Sequence, residues 1–448
     1  MVFLIILSMT LCRGLSGQTL EQTTSKGLRM SLIKDTSLLF IHAEIVIYYS
    51  EINDPAVPYL TLINLFDDQV NDPQSGLLHS LFKMGNDYTI EYKIDHLIIK
   101  VNFLESDINL FIGFLKNLFS YRGFSLREFN YSTQNFWRLF KRQGDWQQII
   151  AAQVAFTKLF SQDHPGQFLV PGRDLGRLNL SHIRSFYKKN YTLPNSYLTI
   201  QGDINPYVVF GLIEKEFRNF KNLKANYGNY RYDNYKTDRQ VVIVDDPGNG
   251  YPSVYWVDPI PTADKITHHH SRIVNNILFG YPFGRISESA SGAGIKNFNI
   301  SWVIHHHRNI SILCRRIRLG YRDIEKFIFI ADNIIRSLGL GRVMRKEYLD
   351  SFNYVFHKEK IEADEYDLKA REKVTESFVS GPDSNRSGGQ RDLLKDLSYV
   401  NFSKILSDPA GSYYINRNKK KGIIIIFGQA SLIQKYLRDL KADVITIR

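Results

Sequence analysis

The stretch SGLLHSLFKMG, residues 75–85, places a histidine and a lysine at the spacing of two zinc ligands. In the motif H-x-x-E-H, two histidines four residues apart share one helix face and bind zinc, and the glutamate between them acts as general base. Here Phe82 takes the glutamate position and Lys83 the second histidine position. The leucines of this stretch and Phe82 predict one apolar helix face, with His79 and Lys83 on the opposite face. We therefore interpret His79 as a solvated surface residue.

Two histidine triplets, at 268–270 and 305–307, are further candidate ligands for a transition metal. Successive residues point about 100° apart on a helix and to opposite faces on a strand, so each triplet can direct only one or two imidazoles to one point. No acidic residue lies beside the second triplet. We interpret both as histidine-rich surface that becomes more positive below about pH 6.5. A metal site there is the open alternative.

Cysteine content and charge exclude several classes of protein. The only cysteines are Cys12 and Cys314, which excludes a disulfide framework and a zinc cage built from thiolates. The net charge is +12, but the basic residues are scattered, and the densest run, at 417–421, only flanks an apolar segment. Without a nucleic-acid-binding motif this charge indicates a solvated surface, and we predict no nucleic-acid partner.

The N-terminus predicts export. The segment VFLIILSMTLC, residues 2–12, has the length of the apolar region of a signal peptide and is too short to span a bilayer. We predict a signal peptide over residues 1–17, a mature chain without a transmembrane helix, and a periplasmic or cell-envelope location. Cys12 suggests a lipid anchor, although Leu11 stands before it where a small residue is expected.

The elements that must position these residues alternate between strand and helix. A chain of 448 residues with 44% hydrophobic content can bury more than one large core. The segment SLLFIHAEIVIYY (37–49) predicts a strand, and INLFIGFLKNLF (108–119) predicts a buried helix. This alternation is typical of mixed α/β layers.

One unit of the pattern occurs twice. A strand, a glycine turn and an amphipathic helix follow one another from residue 196 and again over 422–440. The repeat, at a distance of about 220 residues, indicates a duplicated domain. We predict that the polar, tyrosine-rich segment 225–240 is the linker between domains at 18–224 and 241–448. We also predict a surface loop at 380–390.

Several segments together resemble the pitrilysin/insulinase family of zinc metallopeptidases, which includes the mitochondrial processing peptidase and two-domain bacterial proteins. The similar segments are KGLRMSLIKDTSLLFIHAEIVI near the start, DDPGNGYPSVYW in the second half, and a middle segment from residue 164. That middle segment carries the family's aromatic pair, Tyr-x-x-Pro-Asn turn and Gly-Asp turn at Phe186, Tyr187, Tyr191, Pro194, Asn195, Gly202 and Asp203. The resemblance implies an α+β fold of mixed layers: two similar pitrilysin-like (LuxS-metallopeptidase-like) domains facing one another across a cleft.

The resemblance also implies where a zinc site would lie. Counterparts at Gly85-Asn86, Asp95-His96 and 103–109 place the zinc helix at PYLTLINLF, residues 58–66, and make 75–85 the second helix. Family members that cut peptides carry H-x-x-E-H on the zinc helix and a further glutamate downstream. In this register the three motif positions are Tyr59, Leu62 and Ile63, and the downstream glutamate falls at Arg138 or Leu139. No glutamate occurs between Glu128 and Glu214, so a shift of register does not restore the ligand.

Active members carry an arginine and a tyrosine in the second domain that hold the substrate. The matching segment is 279–302, in which Arg285 fits one family position but the next arginine is missing. Depending on register, its place is taken by Glu288, Ala290 or Ser291, and the place of the tyrosine by Ile295, Asn297 or Phe298.

A chain with this framework and without these ligands implies a non-catalytic, pseudo-peptidase member that uses neither metal nor cofactor. We expect it to bind an extended peptide, or to pair with a catalytic sister subunit or with a second copy of itself. The contact region would be the cleft between 58–66 and 279–302. Two alternatives stay open: an active zinc metalloendopeptidase whose ligands lie elsewhere, and a structural assembly subunit.

Overall fold

The structure, a computed structural model, describes most of the chain. The described residues are 18–49, 54, 56–68, 70, 76–93, 95–142, 146–159, 175–225, 240–248, 250–261, 265–280, 282–307, 310–338, 343–365 and 422–446. The predicted signal peptide with Cys12, the loop at 380–390, and residues 226–239 of the predicted linker lie outside this part. Gln240, the last residue of that predicted linker, already begins a strand.

Six strands of the first half form one sheet in the order β1-β2-β6-β3-β5-β4. β2 and β6 run parallel, and the other neighbours are antiparallel. The strands are β1 (Thr19–Thr23), β2 (Arg29–Lys34), β3 (Ile41–Tyr48), β4 (Tyr88–Tyr92), β5 (His96–Phe103) and β6 (Ser196–Gly202).

Six strands of the second half form a second sheet in the order β12-β7-β11-β8-β10-β9. They are β7 (Gln240–Asp245), β8 (Ser253–Pro261), β9 (Asn299–His307), β10 (Ile310–Arg318), β11 (Ile423–Gly428) and β12 (Asp443–Thr446). Five of them repeat the order and directions of β2 to β6, and β12 takes the position of β1 but runs parallel to its neighbour β7. The predicted mixed α/β fold with two similar halves is confirmed.

The helices supply the layers that cover these sheets. Those described are α1 (Ala56–Phe66), α2 (Gly76–Lys83), α3 (Ile108–Ser120), α4 (Leu126–Gln134), α5 (Phe136–Arg142), α6 (Trp146–Leu159), α7 (Leu180–Asn190), α8 (Pro206–Phe217), α9 (Lys265–Phe279), α10 (Arg285–Gly292), α11 (Ile324–Leu338), α12 (Arg345–Glu365) and α13 (Ala430–Tyr436). α8 packs on β1 and β2, and α13 packs on β7, the counterpart of β2, and on β11.

Two details of the predicted elements are wrong. The strand expected from residue 37 begins at Ile41, because the Asp35 carboxylate accepts hydrogen bonds from the backbone N–H and the hydroxyl of Ser37 and holds a turn there. The apolar Leu39, which suggested a strand, is 89% exposed. In α2 the leucines are buried, but Phe82 is 41% exposed and does not belong to the buried face.

A glycine ends the equivalent strand in each of the two halves. Gly202 ends β6 with φ of 156°, and Gly428 ends β11 with φ of 153°. A β-carbon at Gly202 would lie 3.1 Å from the backbone of Ile41, the first residue of the neighbouring strand β3. The close approach of this backbone therefore requires glycine at the first turn.

Helix α6 joins the two halves. It belongs to the first half by sequence, yet it packs on β8, β10 and β11 of the second sheet. The Trp146 ring lies 5.9 Å from the Phe427 ring, and the side-chain amide of Gln148 lies 2.6 Å from Nε2 of His305. α6 covers one face of this sheet, and helices of the second half cover the other face. β11 is therefore buried throughout, which explains its continuous apolar run IIIIF.

A buried cation lies on the other face of the second sheet. Arg315 on β10 is 1% exposed, and its guanidinium donates to the Asp258 carboxylate and, at 2.5 Å, to Asn275 Oδ1 of α9. The same group lies 4.4 Å from the centre of the Phe279 ring. These contacts tie the sheet to the helix that covers it, because a buried guanidinium must keep its acceptors.

Candidate functional site

Helix α1 carries the three positions at which the resemblance implies the zinc motif. The Asp54 carboxylate accepts a hydrogen bond at 2.8 Å from the Ala56 N–H, which supports the first turn. All eleven residues of α1 are buried. Tyr59 is 2% exposed, Leu62 5% and Ile63 2%, so the helix lies within the core of the first half.

Aromatic rings fill the space around Tyr59. Its ring centre lies 4.3 Å from that of Tyr92 on β4, 4.4 Å from that of Phe140 and 6.2 Å from that of Phe136 on α5. Burial, followed by the nearby Asp95 carboxylate, raises the pKa of the Tyr92 phenol well above its ordinary value. Both effects keep this phenol neutral, and neutral phenols are poor zinc ligands at neutral pH.

The two candidate positions for the downstream glutamate face different ways. Arg138 is exposed, and its guanidinium donates at 2.8 Å to the Tyr131 hydroxyl and at 3.2 Å to Asn135 Oδ1. Leu139 is buried. The aromatic side chains of this helix that pack against Tyr59 are those of Phe136 and Phe140.

Sequence reasoning missed Phe136 and Phe140. Their i, i+4 spacing in FWRLF is the available signal, since it places both rings on one face of α5. A second contact that was not predicted fixes α1 against α4, where the Asn64 amide donates at 2.8 Å to the Ser132 hydroxyl. The structure thus brings α1, α4, α5 and β4 together around apolar side chains, with the Asn64–Ser132 hydrogen bond among the contacts.

The residues that carry the resemblance near 186–195 have structural roles. The Tyr187 hydroxyl donates to the Leu118 carbonyl at 2.5 Å and accepts from the Tyr121 N–H at 2.8 Å. The Asn195 amide donates to the backbone carbonyls of Lys189 and Asn190. The Tyr187 bonds fix α7 to α3 and the residue that follows it, and the Asn195 bonds fix the turn before β6 to the end of α7.

Arg285 of the second half forms an ion pair at the start of α10. Its guanidinium donates two hydrogen bonds of 2.7 Å each to the Glu347 carboxylate of α12. This bidentate bond joins α10 to α12, and the Glu347 carboxylate also accepts a hydrogen bond from the Met344 N–H at the start of α12. Of the other positions in this segment, Glu288, Ser291 and Asn297 are exposed, and Ala290, Ile295 and Phe298 are buried.

The histidine triplets lie on two elements of the second half. His268–His270 belong to α9 and His305–His307 to the end of β9. Of these six side chains only that of His305 falls within the described part, where it meets Gln148 of α6. Among the described residues, no three His, Cys, Asp or Glu side chains form a group that could hold a metal ion.

Cys314 offers no nucleophile at neutral pH. The thiol is buried on β10, and burial raises its pKa to about 12 despite the neighbouring Arg315 and Arg316. Thiol chemistry requires the thiolate, so Cys314 is a packing residue of the second sheet.

Strand β4 forms one edge of the first sheet, next to α1. Glu91 on this strand is bonded to Lys93 at 3.0 Å and to Lys100 at 2.6 Å. The Lys93 N–H donates to the His96 carbonyl, and the Asp87 carbonyl accepts from the Asn102 N–H, so the odd-numbered residues face β5. Because strand groups alternate, the residues whose backbone groups face away from β5 are Tyr88, Ile90 and Tyr92.

Comparison with known proteins finds a family match over part of the chain. Residues 177–290 match the family described as Peptidase M16 inactive domain. A search of curated proteins finds no match.

Solved structures show the fold. An M16-like peptidase from Alicyclobacillus acidocaldarius superposes with a TM-score of 0.71 at 11% identity over 92% of this chain and 98% of its own. A peptidase M16 inactive domain from Pseudomonas fluorescens gives 0.69 at 12% identity, over 93% and 99%. The periplasmic protease PqqL from Escherichia coli gives 0.62 at 13% identity, over 95% of this chain and 51% of its own.

Proposed function

We propose that this chain, a pitrilysin-type (M16) protein in fold and in its matched segment, is a non-catalytic member that acts by binding an extended peptide. The observation that carries the proposal is the packing of α1. A hydrolytic zinc site needs imidazole and carboxylate ligands around an open coordination position. Here Tyr59, Leu62 and Ile63 lie buried in the core, and two phenylalanines of α5 stand against Tyr59.

The edge of β4 supports binding of a peptide as an added strand. In the described part of the chain β4 pairs only with β5. The outward N–H and C=O groups of Tyr88, Ile90 and Tyr92 match what an extended peptide needs to join a sheet. This edge lies beside α1, because the Tyr92 ring contacts the Tyr59 ring. A bound peptide would therefore pass the positions on α1 where active members carry the zinc motif, and it would not be cut.

Location and partners are part of the proposal. PqqL, one of the proteins with this fold, is described as periplasmic, which agrees with the signal peptide expected at residues 1–17. Among the described helices none is long and apolar enough to cross a membrane. We propose a periplasmic or cell-envelope protein, in which a catalytic sister subunit would be the source of any hydrolysis.

The zinc content tests the non-catalytic proposal. Purified without an affinity tag and dialysed, the protein should contain well under one zinc per chain by elemental analysis, because the α1 and α5 positions offer no ligand set. Stoichiometric zinc that survives dialysis, accompanied by peptide cleavage that a chelator stops, would contradict it.

Replacing Ile90 with proline tests the peptide edge. Proline removes one outward N–H without removing a bond to β5. We expect the affinity for fluorescein-labelled casein peptides, measured by anisotropy, to fall about fivefold, as loss of one hydrogen bond of about 1 kcal/mol implies. Ile90→Val keeps the N–H and serves as the packing control. Equal losses in both variants, or no peptide binding by the folded wild-type chain, would refute strand addition at β4.

A further inference from the structure

The four edge strands of the two sheets differ in how they are protected against pairing with a second copy of themselves. β1 carries Glu21, β12 carries Asp443, and β4 carries Glu91, which is paired with Lys93 and Lys100 of its own chain, whereas β9, with the sequence NISWVIHHH, contains no acid, lysine, arginine or proline. Charged side chains and proline on an edge are the usual means of preventing edge-to-edge association. β9 lacks both, and at nine residues it is longer than the other three edges.

The middle of β9 is accessible. Val303 is 38% exposed, and Asn299 and Ser301 are exposed as well. Trp302 is half-buried, and its ring is held by the Arg272 guanidinium of α9 at 5.8 Å. In the described part of the chain β9 pairs only with β10. An exposed and long edge strand without charge is a place where another strand adds.

We propose that β9 is the surface on which two copies of this chain pair, antiparallel about a two-fold axis centred on Val303. The two second-half sheets then become one continuous sheet. This proposal does not depend on peptide binding at β4, which is the equivalent edge strand of the first half.

The composition of β9 favours a second copy as its occupant. With Val303 at the axis, Val303 faces Val303 of the second copy, Trp302 faces Ile304, and Ser301 faces His305. In an isologous interface each pair away from the axis occurs twice, so two Trp302–Ile304 pairs contribute. Aromatic pairs with β-branched residues stabilise adjacent strands, and in these central pairs no like charges stand opposite each other at neutral pH.

A charge exchange at the axis tests this pairing. Val303→Lys and Val303→Glu each place like charges opposite one another, so the dimer dissociation constant should rise by more than about tenfold. An equimolar mixture of the two variants should regain dimers that contain one copy of each, because the axis then joins lysine to glutamate. Analytical ultracentrifugation of the full chain measures both effects, with native mass spectrometry for the composition of the mixed dimer.

The matched control is Val444→Lys on β12, a valine of similar exposure, 43%, on another edge. It should leave the dimer intact. Circular dichroism reports whether Val303→Lys is folded; if it is not, Ser301→Lys, at an exposed position of β9, replaces it and should weaken the dimer, because lysine on an edge strand opposes pairing with another strand. A wild-type chain that is monomeric at every concentration, a folded Val303→Lys that still dimerises, or a mixture that stays monomeric would each overturn the proposal.

Discussion

Replacement of Arg315 by methionine is expected to lower the free energy of unfolding by about 3–5 kcal/mol, the loss typical when one partner of a buried ion pair is removed. Methionine fills a similar volume but leaves the Asp258 carboxylate and the Asn275 amide without the guanidinium that joins them. It also removes the contact of the cation with the Phe279 ring. The carboxylate of Asp258, whose side chain is 20% exposed, keeps some hydration, which places the loss toward the lower end of that range.

Chemical denaturation of the wild type and the variant measures this loss. Arg318→Met on the same strand is the matched control, because Arg318 is exposed and its replacement should change stability by less than about 0.5 kcal/mol. Adding Asp258→Asn to Arg315→Met should recover part of the loss by removing the unpaired charge. Equal stability of Arg315→Met and Arg318→Met would show that the buried pair does not tie β10 to α9.

Replacement of Leu62 by glutamate is expected to cost about 3–5 kcal/mol and to create no peptidase activity. The change restores the residue type that a zinc motif carries at this position, but it places a carboxylate within the core, where Leu62 is 5% exposed. Burial will raise the pKa of the new carboxyl group above its unfolded value, so the penalty grows as pH rises above that unfolded value of about 4.3. The difference in unfolding free energy from the wild type should therefore be smaller at acidic pH than at neutral pH.

The control for this variant is Leu126→Glu, the same exchange at a position 61% exposed in the first turn of α4, where an acid is tolerated. Its effect should stay within about 0.5 kcal/mol. A Leu62→Glu protein as stable as Leu126→Glu would mean that α1 does not lie in a closed core. Chelator-sensitive cleavage of peptides by this variant would revive the active-peptidase alternative.

Local patterns in the sequence were sufficient to predict several elements of the fold. The buried helix expected at 108–119 extends over 108–120. The repeated unit of strand, glycine turn and helix appears as β6 with α8 and again as β11 with α13. These features depend on short-range periodicity, which one sequence contains, whereas the helix at 56–66 was expected at 58–66 from the family resemblance.

Contacts between distant elements could not be predicted in the same way. The apolar period of FWRLF indicates a buried face of α5 but does not say that this face meets Tyr59, some eighty residues earlier in the chain. The apolar residues of α6 likewise do not show that the partner of this helix is the second sheet. Such pairings depend on the tertiary arrangement, and the positions at 138 and 139 were assigned from a family spacing rather than from a helix face.

The placement of α6 has a consequence during synthesis on the ribosome. Trp146 leaves the ribosome 281 residues before its partner Phe427 (427 − 146). At about 5–20 residues per second, the apolar face of α6 waits roughly 15–55 s for the strand it covers. During this interval the apolar face of α6 is exposed to solvent. The helix is synthesised in the first third of translation, and its burial is completed only when the last strands of the second half have been made. We therefore expect truncated chains that end before β11 to need a chaperone to stay dispersed.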